Sequence, residues 1–493
     1  MHGIIIRPLD AAIVAIYLAA LLAIGIVSAR RSATAENYFV GHRDYPGWLV
    51  ALSMLGSIIS SMTFLALPAA AYVLDWRQLT VNLMAPLVAI LAVVVFIPFF
   101  RRGGLTSAFE YLGERFGTVA RLYGTINFIV LQLIRLAQVL FLMALPMQFI
   151  TGVPLEWVIC GVGLFVALVT VAGGMETVVV ADAVQAVIKV LGGVLCAACL
   201  IRAMPGGLAE IVELGRAEHK FSLGSFDWDL TQRTFWTVAI LGILNYLNIY
   251  SGEQTVVQRY VSARSTREAR KATLMFSFVA VPVWTLFFFV GTALWAFFRA
   301  FPDPRAAALQ ADQVLPYFVL THVPAGLAGL VIASVLAAAM SAIESGANSI
   351  ATVTVVDLLR PFLLPGRGDR FYLQAARITT GLAIALAVGG ALAFSRLEKE
   401  SMNDVSLIVF SVLGGAITGL YMVGFFTRRV DGFAVNVALA VAVALNLYLG
   451  LGVLGVLPEG WRLGVHSYWV GAVVNLAFVA VAYGVSLLRP AAR

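Results

Sequence analysis

The chain has 493 residues, of which 61% are hydrophobic and 12% charged. Soluble domains carry about a quarter charged residues, so the composition excludes a soluble globular protein and indicates a single all-α bundle in lipid. The formal net charge of +7 does not mark a nucleic-acid binder. The basic residues fall in short clusters between hydrophobic runs, as they do in the cytoplasmic loops of membrane proteins.

A spanning helix needs about 20 mostly apolar residues. Thirteen such runs are predicted, near 10–29, 47–73, 78–100, 119–148, 154–173, 177–203, 234–256, 273–300, 315–357, 372–395, 404–427, 431–456 and 467–488. The first is followed at once by Arg30 and Arg31 with no clean cleavage site, so it reads as a retained helix rather than a signal peptide. The ninth is too long for one straight span and predicts a short external helix before the membrane. Tyr72 and Trp76 read as anchors at the outer interface.

Arg43 also follows the first run. Arg101 and Arg102 follow the third, and Arg259, Arg264, Arg267, Arg270 and Lys271 follow the seventh. Arg360, Arg367 and Arg370 follow the ninth, and Arg428 and Arg429 the eleventh. Every second loop is basic, which places the N-terminus outside and the C-terminus in the cytoplasm. Ala- and Arg-rich usage suggests a bacterial plasma membrane. Cys160, Cys196 and Cys199 all lie in apolar segments. The C-x-x-C formed by the last two lacks a second Cys or His pair and reads as packing.

Two runs look interrupted. The second carries Gly56, Ser57, Ser60, Ser61, Thr63 and Pro68; the seventh carries Asn245, Asn248, Ser251 and Gly252. They stand five apart in order, the spacing of equivalent helices in two five-helix repeats. Paired broken helices mark the central site of a transporter; scattered Ser and Thr can also serve only to join helices.

The polar segments then carry a resemblance. "GSIISSMTF" at 56–64, "TSAFEYLGERFG" at 106–117, "GGMETVVVADAVQ" at 173–185, "EQTVVQRYVSARS" at 253–265, the stretch 311–345 and "GFFTRRVDG" at 424–432 resemble, in order, segments of the sodium/solute symporter family. The resemblance implies an inverted 5+5 helix core with discontinuous first and sixth core helices. It divides the chain into an extra N-terminal helix and loop (1–46), a first repeat (47–203), an extracellular loop (204–233), a second repeat (234–427) and two C-terminal helices (428–493). It implies sodium-driven symport of a small organic solute by alternating access.

Carried over residue by residue, the family's main sodium site comprises the carbonyls of Gly56, Ile59 and Ala338 and the hydroxyl of Ser341. The family usually has a second hydroxyl right after that serine; here the residue is Ala342. A second cation site nearer the cytoplasm would use Asp182, Ser341 and Ser345. Glu344 lies between the two serines and shares their helix face. An acid inside the membrane is a functional candidate by default; the alternative is a hydrated cytoplasmic mouth. Lys189 is a second departure, since the family normally has an apolar residue there. It lies about 10 Å beyond Asp182 on nearly the same face. Ala342 and Lys189 together open a second reading of the coupling, to protons or to no ion, beside sodium; a lysine on a wet face or snorkelling along its helix is the plain alternative.

Arg135, in "LQLIRLAQVLF", needs an acidic partner or an acidic ligand at that depth. Relatives that carry sialic acid hold the substrate carboxylate with an arginine at the matching place. The resemblance thus favours a carboxylate, sialic acid or a monocarboxylate, over glucose or galactose, and leaves a polyol open. Ser60 and Thr63 share a side of the broken helix, Asn82 and Gln138 could reach substrate hydroxyls, and Asn245, Asn248 and Tyr250 of the sixth core helix could close the pocket. The other possibility is that Arg135 pairs internally with Asp182 or Glu344. No metal-ligand His pair and no phosphate loop supports an enzyme. A channel or a non-transporting solute sensor are the readings of another class. Matched broken helices disfavour the first, and a chain ending at Arg493 just after its last helix disfavours the second.

Overall fold

The computed structural model describes residues 7–29, 34–102, 104–229, 232–396, 402–453, 455–463 and 467–488. Arg30, Arg31 and Arg493 lie outside the described residues. The described helices are α1 (Pro8–Ala29), α2 (Ala35–Val40), α3 (Gly47–Ile58), α4 (Met62–Val73), α5 (Leu79–Arg101), α6 (Ala108–Phe116), α7 (Thr118–Thr151), α8 (Leu155–Val171), α9 (Gly173–Ala203), α10 (Gly207–Ala217), α11 (Phe235–Ser251), α12 (Gln254–Ser262), α13 (Thr266–Ala300), α14 (Ala311–His322), α15 (Leu327–Leu363), α16 (Asp369–Phe394), α17 (Met402–Leu413), α18 (Ile417–Phe426), α19 (Gly432–Val453) and α20 (Ser467–Leu487). A one-turn helix, Pro304–Ala307, precedes α14.

Among these, 9 helices are long and apolar enough to cross a bilayer, and 10 if the bent pair α3–α4 is one span. The shorter apolar helices α8, α11 and the α17–α18 pair complete the thirteen runs read in the sequence. The protein is an all-helical, multi-pass membrane protein.

Where glycine permits a sharp break, the long apolar runs divide. Gly174 has φ +64, and there the chain turns from α8 into α9. Gly326 has φ +87 and separates the short helix α14 from α15, the division expected of the ninth run. L-residues with a Cβ avoid this region of φ.

The centre of the bundle is built from α3, α9 and α15, which pack on one another. Small residues let the backbones approach. A Cβ on Gly56 would lie 2.4 Å from the Asp182 carbonyl, and one on Gly192 2.3 Å from the Ser334 hydroxyl. A similar approach joins α4 to α13, where a Cβ on Gly291 would lie 2.2 Å from the Pro68 carbonyl. The extra helix α1 is pinned to the start of α15. Asp10 is buried and accepts from the N–H groups of Gly326 and Gly329, both at 2.7 Å, and from Arg7 at 2.7 Å. Those N–H groups have no partner within their own helix, and a carboxylate suits that helix end.

Trp76 is tied into the fold on two sides. Its indole N–H donates to Thr292 at 2.9 Å and its ring packs edge-on against Phe221. It is held between α13 and the 204–233 connection, and Tyr72 beside it gives its carbonyl to Lys220 at 2.8 Å. Both seat that connection.

Gly291→Ala is expected to lower the melting temperature of the purified protein, because the added methyl meets backbone rather than a movable side chain; overpacking of this kind costs about 1–3 kcal/mol. Melting followed by tryptophan fluorescence checks it, and an unchanged midpoint would show that the α4–α13 approach can relax freely.

Candidate functional site

The site starts from two broken helices. Helix α3 stops at Ile58; Ile59 has φ −72 and ψ 94, and the chain resumes as α4 after a bend of 61°. Helix α11 stops at Ser251, and Gly252 and Glu253 leave the helical conformation before α12 begins. The last carbonyls of a helix have no intrahelical partner, and inside a membrane water is not at hand to supply one. Something on a neighbouring element must therefore meet the end of α3.

That group is Lys189 of α9. It is completely buried. Its ammonium donates to the Gly56 carbonyl at 2.6 Å and also to the Ser341 hydroxyl of α15. Ser341 Oγ in turn lies 3.0 Å from the Gly56 carbonyl and 3.5 Å from that of Ala338. The Lys189 ammonium thus meets Gly56 and Ser341, two of the residues assigned by resemblance to a sodium ion, and Ser341 adjoins a third, Ala338. The snorkelling and wet-face readings of Lys189 do not hold, because no part of the side chain reaches solvent. Ile59, the remaining member of that set, is itself fully buried at the break.

One turn and more along α9, Asp182 is also fully buried. Its Oδ2 lies 2.6 Å from the guanidinium of Arg259. The hydroxyls of Ser53 and Ser345 both donate to the same oxygen at 3.1 Å. Arg259 further donates to Ser345 at 2.9 Å, to Ser53 at 2.9 Å and to the Thr255 carbonyl at 2.5 Å. Arg259 was counted among the loop cations, but it is 1% exposed. Helix α12 folds inward after the Gly252 break and carries it into the bundle. The cation beside Asp182 and Ser345 is therefore a guanidinium of the chain itself. The hydrated-mouth reading of Asp182 and Glu344 also fails, since both are buried.

Glu344 shares the α15 face of Ser341 and Ser345 but is bonded differently. Among the described residues neither carboxyl oxygen has a hydrogen-bond partner. The charged groups acting on it are Asp182 and Lys189. Tyr17 of α1 is within electrostatic range and accepts from Gln185 of α9 at 3.1 Å.

A cavity of about 250 Å³ lies beside these clusters. Ser60, Thr63, Asn82, Arg135, Gln138 and Asn248 all line it, joined by Gln132, Asn245, Tyr246, Glu253 and Trp284. Arg135 comes from α7 and is 34% exposed, with its NH1 2.7 Å from Glu253. Its internal partner is therefore neither Asp182 nor Glu344 but Glu253, the residue in the break between α11 and α12. Thr255 Oγ1 donates to the same carboxylate at 2.7 Å. Asn82 accepts from the Tyr246 hydroxyl at 3.1 Å, and Gln138 from Ser406 at 2.9 Å. The amide nitrogen of Gln138 and the amide oxygen of Asn248 have no partner among the described residues. Ser60 Oγ accepts from the Met62 N–H at 3.2 Å, and Thr63 Oγ1 lies 3.4 Å from the Ile58 carbonyl, so both also trim the broken helix.

Sequence reasoning gives no site role to Glu253, Arg259, Ser53 or Ser406. For Glu253 a signal existed: it directly follows the Gly252 interruption. For Arg259 the signal pointed the wrong way, since its neighbours Arg264, Arg267 and Arg270 make a loop of the whole stretch.

Relatives fit this arrangement. The chain is 32% identical over 437 residues to the sodium/sialic acid symporter NanT of Aliivibrio fischeri, covering 88% of this chain and 86% of that one. It is 30% identical over 428 residues to the human sodium-coupled monocarboxylate transporter 1, covering 85% and 69%. A solved substrate-bound, outward-open structure of a Na+-coupled sialic acid symporter superposes with a TM-score of 0.88 at 26% identity, covering 99% of each chain. The nucleobase-cation symporter Mhp1 shares the fold at a TM-score of 0.56 and 15% identity. The sodium:solute symporter family model matches residues 38–434. With its two broken helices, its central cavity and this match, the chain belongs to the sodium:solute symporter family, whose members are sodium-coupled membrane transporters of small solutes and not enzymes.

Proposed function

We propose that this transporter carries a polyhydroxylated organic acid of the sialic-acid type, bound in the central cavity with its carboxylate on Arg135, and moves it by alternating access. The observation that carries the reading is the half-buried Arg135 guanidinium in a cavity where, among apolar side chains such as Phe128 and Trp284, the other polar lining groups are Glu253, amides and hydroxyls. A guanidinium fork matches a carboxylate with parallel charge-assisted hydrogen bonds. Asn248 and Gln138 hold unpartnered amide atoms at the cavity, and buried polar atoms of that kind call for ligand hydroxyls or amides. A short monocarboxylate would satisfy Arg135 and leave those amides unmet.

Arg135 is not idle without a solute: Glu253 holds one side of it. A solute carboxylate then competes with Glu253, which sits in the α11–α12 break. Solute binding is thereby linked to the conformation of that hinge. The basic loops support the orientation. Arg101 donates to the carbonyls of Val261 and Ala263 at 2.8 and 2.6 Å, and Arg115 to that of Arg428 at 3.1 Å. The segments after α5, α12 and α18 therefore meet at one end of the bundle, which the positive-inside rule assigns to the cytoplasm.

Two variants should shift solute affinity in opposite directions. Arg135→Ala is expected to weaken N-acetylneuraminate binding roughly ten- to a hundredfold, since hydrogen bonds to a charged group are worth about 1.5–3 kcal/mol. Glu253→Gln is expected to tighten it a few-fold by removing the competing carboxylate. Titration of the melting temperature with N-acetylneuraminate and with pyruvate reads both. An acid that stabilises wild type and Arg135→Ala equally would remove the carboxylate assignment, and pyruvate matching N-acetylneuraminate would remove the polyhydroxylated one.

A further inference from the structure

We propose that Lys189 is a built-in replacement for the main-site sodium ion, so that this chain binds no sodium between α3 and α15. The inference concerns the cation position alone and is independent of which solute the cavity takes.

The position is one that a broken helix builds for a cation. Unwound carbonyls and half-helix C-terminal ends coordinate ions in transporters of this architecture. Here the end of α3 offers the Gly56 carbonyl, and α15 offers the Ser341 hydroxyl. Both already receive the Lys189 ammonium. The ammonium is tethered to α9 and completely buried, so it cannot diffuse away as a bound ion does. The residue that follows Ser341 is Ala342, which brings a methyl where a hydroxyl would add an oxygen. The donor set is thus short by one ligand, and two of its oxygens, those of Gly56 and Ser341, are taken by the ammonium.

Charge argues in the same direction. The charged groups that bear on Lys189 are Asp182 on its own helix, Glu344 of α15 and Arg259 of α12. Helix α1 presents Tyr17 to Glu344, and α3 presents only the hydroxyl of Ser53 to Asp182. Two cations face at most two carboxylates, so the cluster has no excess negative charge for an added ion to meet. A sodium ion about 4 Å from the ammonium would be disfavoured on the order of a thousandfold at the effective dielectric of a protein interior. Loss of the positive charge at Lys189 relieves that repulsion.

The full chain, purified in detergent, tests this without any solute. Sodium chloride replaces choline chloride at constant ionic strength and pH, and 22Na+ binding and melting temperature are followed. In wild type, sodium up to about 100 mM should give no stabilisation that depends on the site. Any 22Na+ retained should be indifferent to Ser341→Ala. Lys189→Ala combined with Ala342→Ser removes the tethered charge and restores the missing hydroxyl. It should gain saturable sodium binding and a melting temperature that rises with sodium, and both should be lost again when Ser341→Ala is added. Saturable binding in wild type that Ser341→Ala weakens tenfold or more would overturn the proposal, and so would a folded double variant as indifferent to sodium as wild type. If the double variant does not fold, the comparison of wild type with Ser341→Ala still decides.

Discussion

A helix that breaks at mid-membrane must have its exposed carbonyls met, and the rest of this centre is arranged around that requirement. Water cannot meet them in the hydrocarbon region, and an unmet polar group there costs several kcal/mol. At the end of α3 the Gly56 carbonyl takes an ammonium from α9 and a hydroxyl from α15. Three helices are joined at one oxygen. The close approach that makes this possible depends on the missing side chain of Gly56, whose Cβ would strike the Asp182 backbone. Geometry and charge compensation at this point are therefore one constraint rather than two.

The same logic runs through the neighbouring pairs. Arg259 and Asp182 are both sealed from solvent, and such a pair persists only when its remaining donors and acceptors are also met. Ser53, Ser345 and the Thr255 carbonyl meet most of them. Breaking this pair by removing one partner leaves an uncompensated charge, which is why a serine-rich surround accompanies it. The cluster also ties α12, from the second broken helix, to α3, α9 and α15. The two halves of the core are thus latched to each other through charge rather than through apolar packing alone.

The bundle was legible in the sequence because hydrophobic length and spacing are local properties. Thirteen runs, the two interruptions and the extra helix ahead of α15 all follow from residues within about 20 positions of one another. Gly174 belongs with these: its positive φ divides α8 from α9 where the runs 154–173 and 177–203 already part. The partners of buried charges were harder to read. Arg135 needs an acid, but nothing local distinguishes Glu253, 118 positions away, from Asp182 or Glu344. Arg259 lies in a polar, basic stretch that reads as loop, and only the inward fold of α12 makes it interior. Tertiary proximity, not residue type, decided those cases. The location of Lys189 and Asp182 on one face of α9 was legible from their spacing, whereas the oxygen that each would meet was not.

Exposure separates the roles of the buried cations more than charge does. Arg135 is 34% exposed, and Lys189 and Arg259 are almost wholly sealed. A group can exchange partners with an incoming solute only if it reaches the space the solute enters. Arg135 reaches it, and its single acid, Glu253, is carried on a hinge. Lys189 meets backbone and hydroxyl oxygens fixed by three packed helices, and Arg259 meets four groups at once. Replacing Arg135 by lysine would keep the charge but give up the planar fork. At Lys189 the compact ammonium is itself the fitting shape, because it fills the space of one small cation. The bundle thus places a forked cation where a carboxylate can arrive and a point-like cation where a helix end must be held. That division follows from which element each residue rides on.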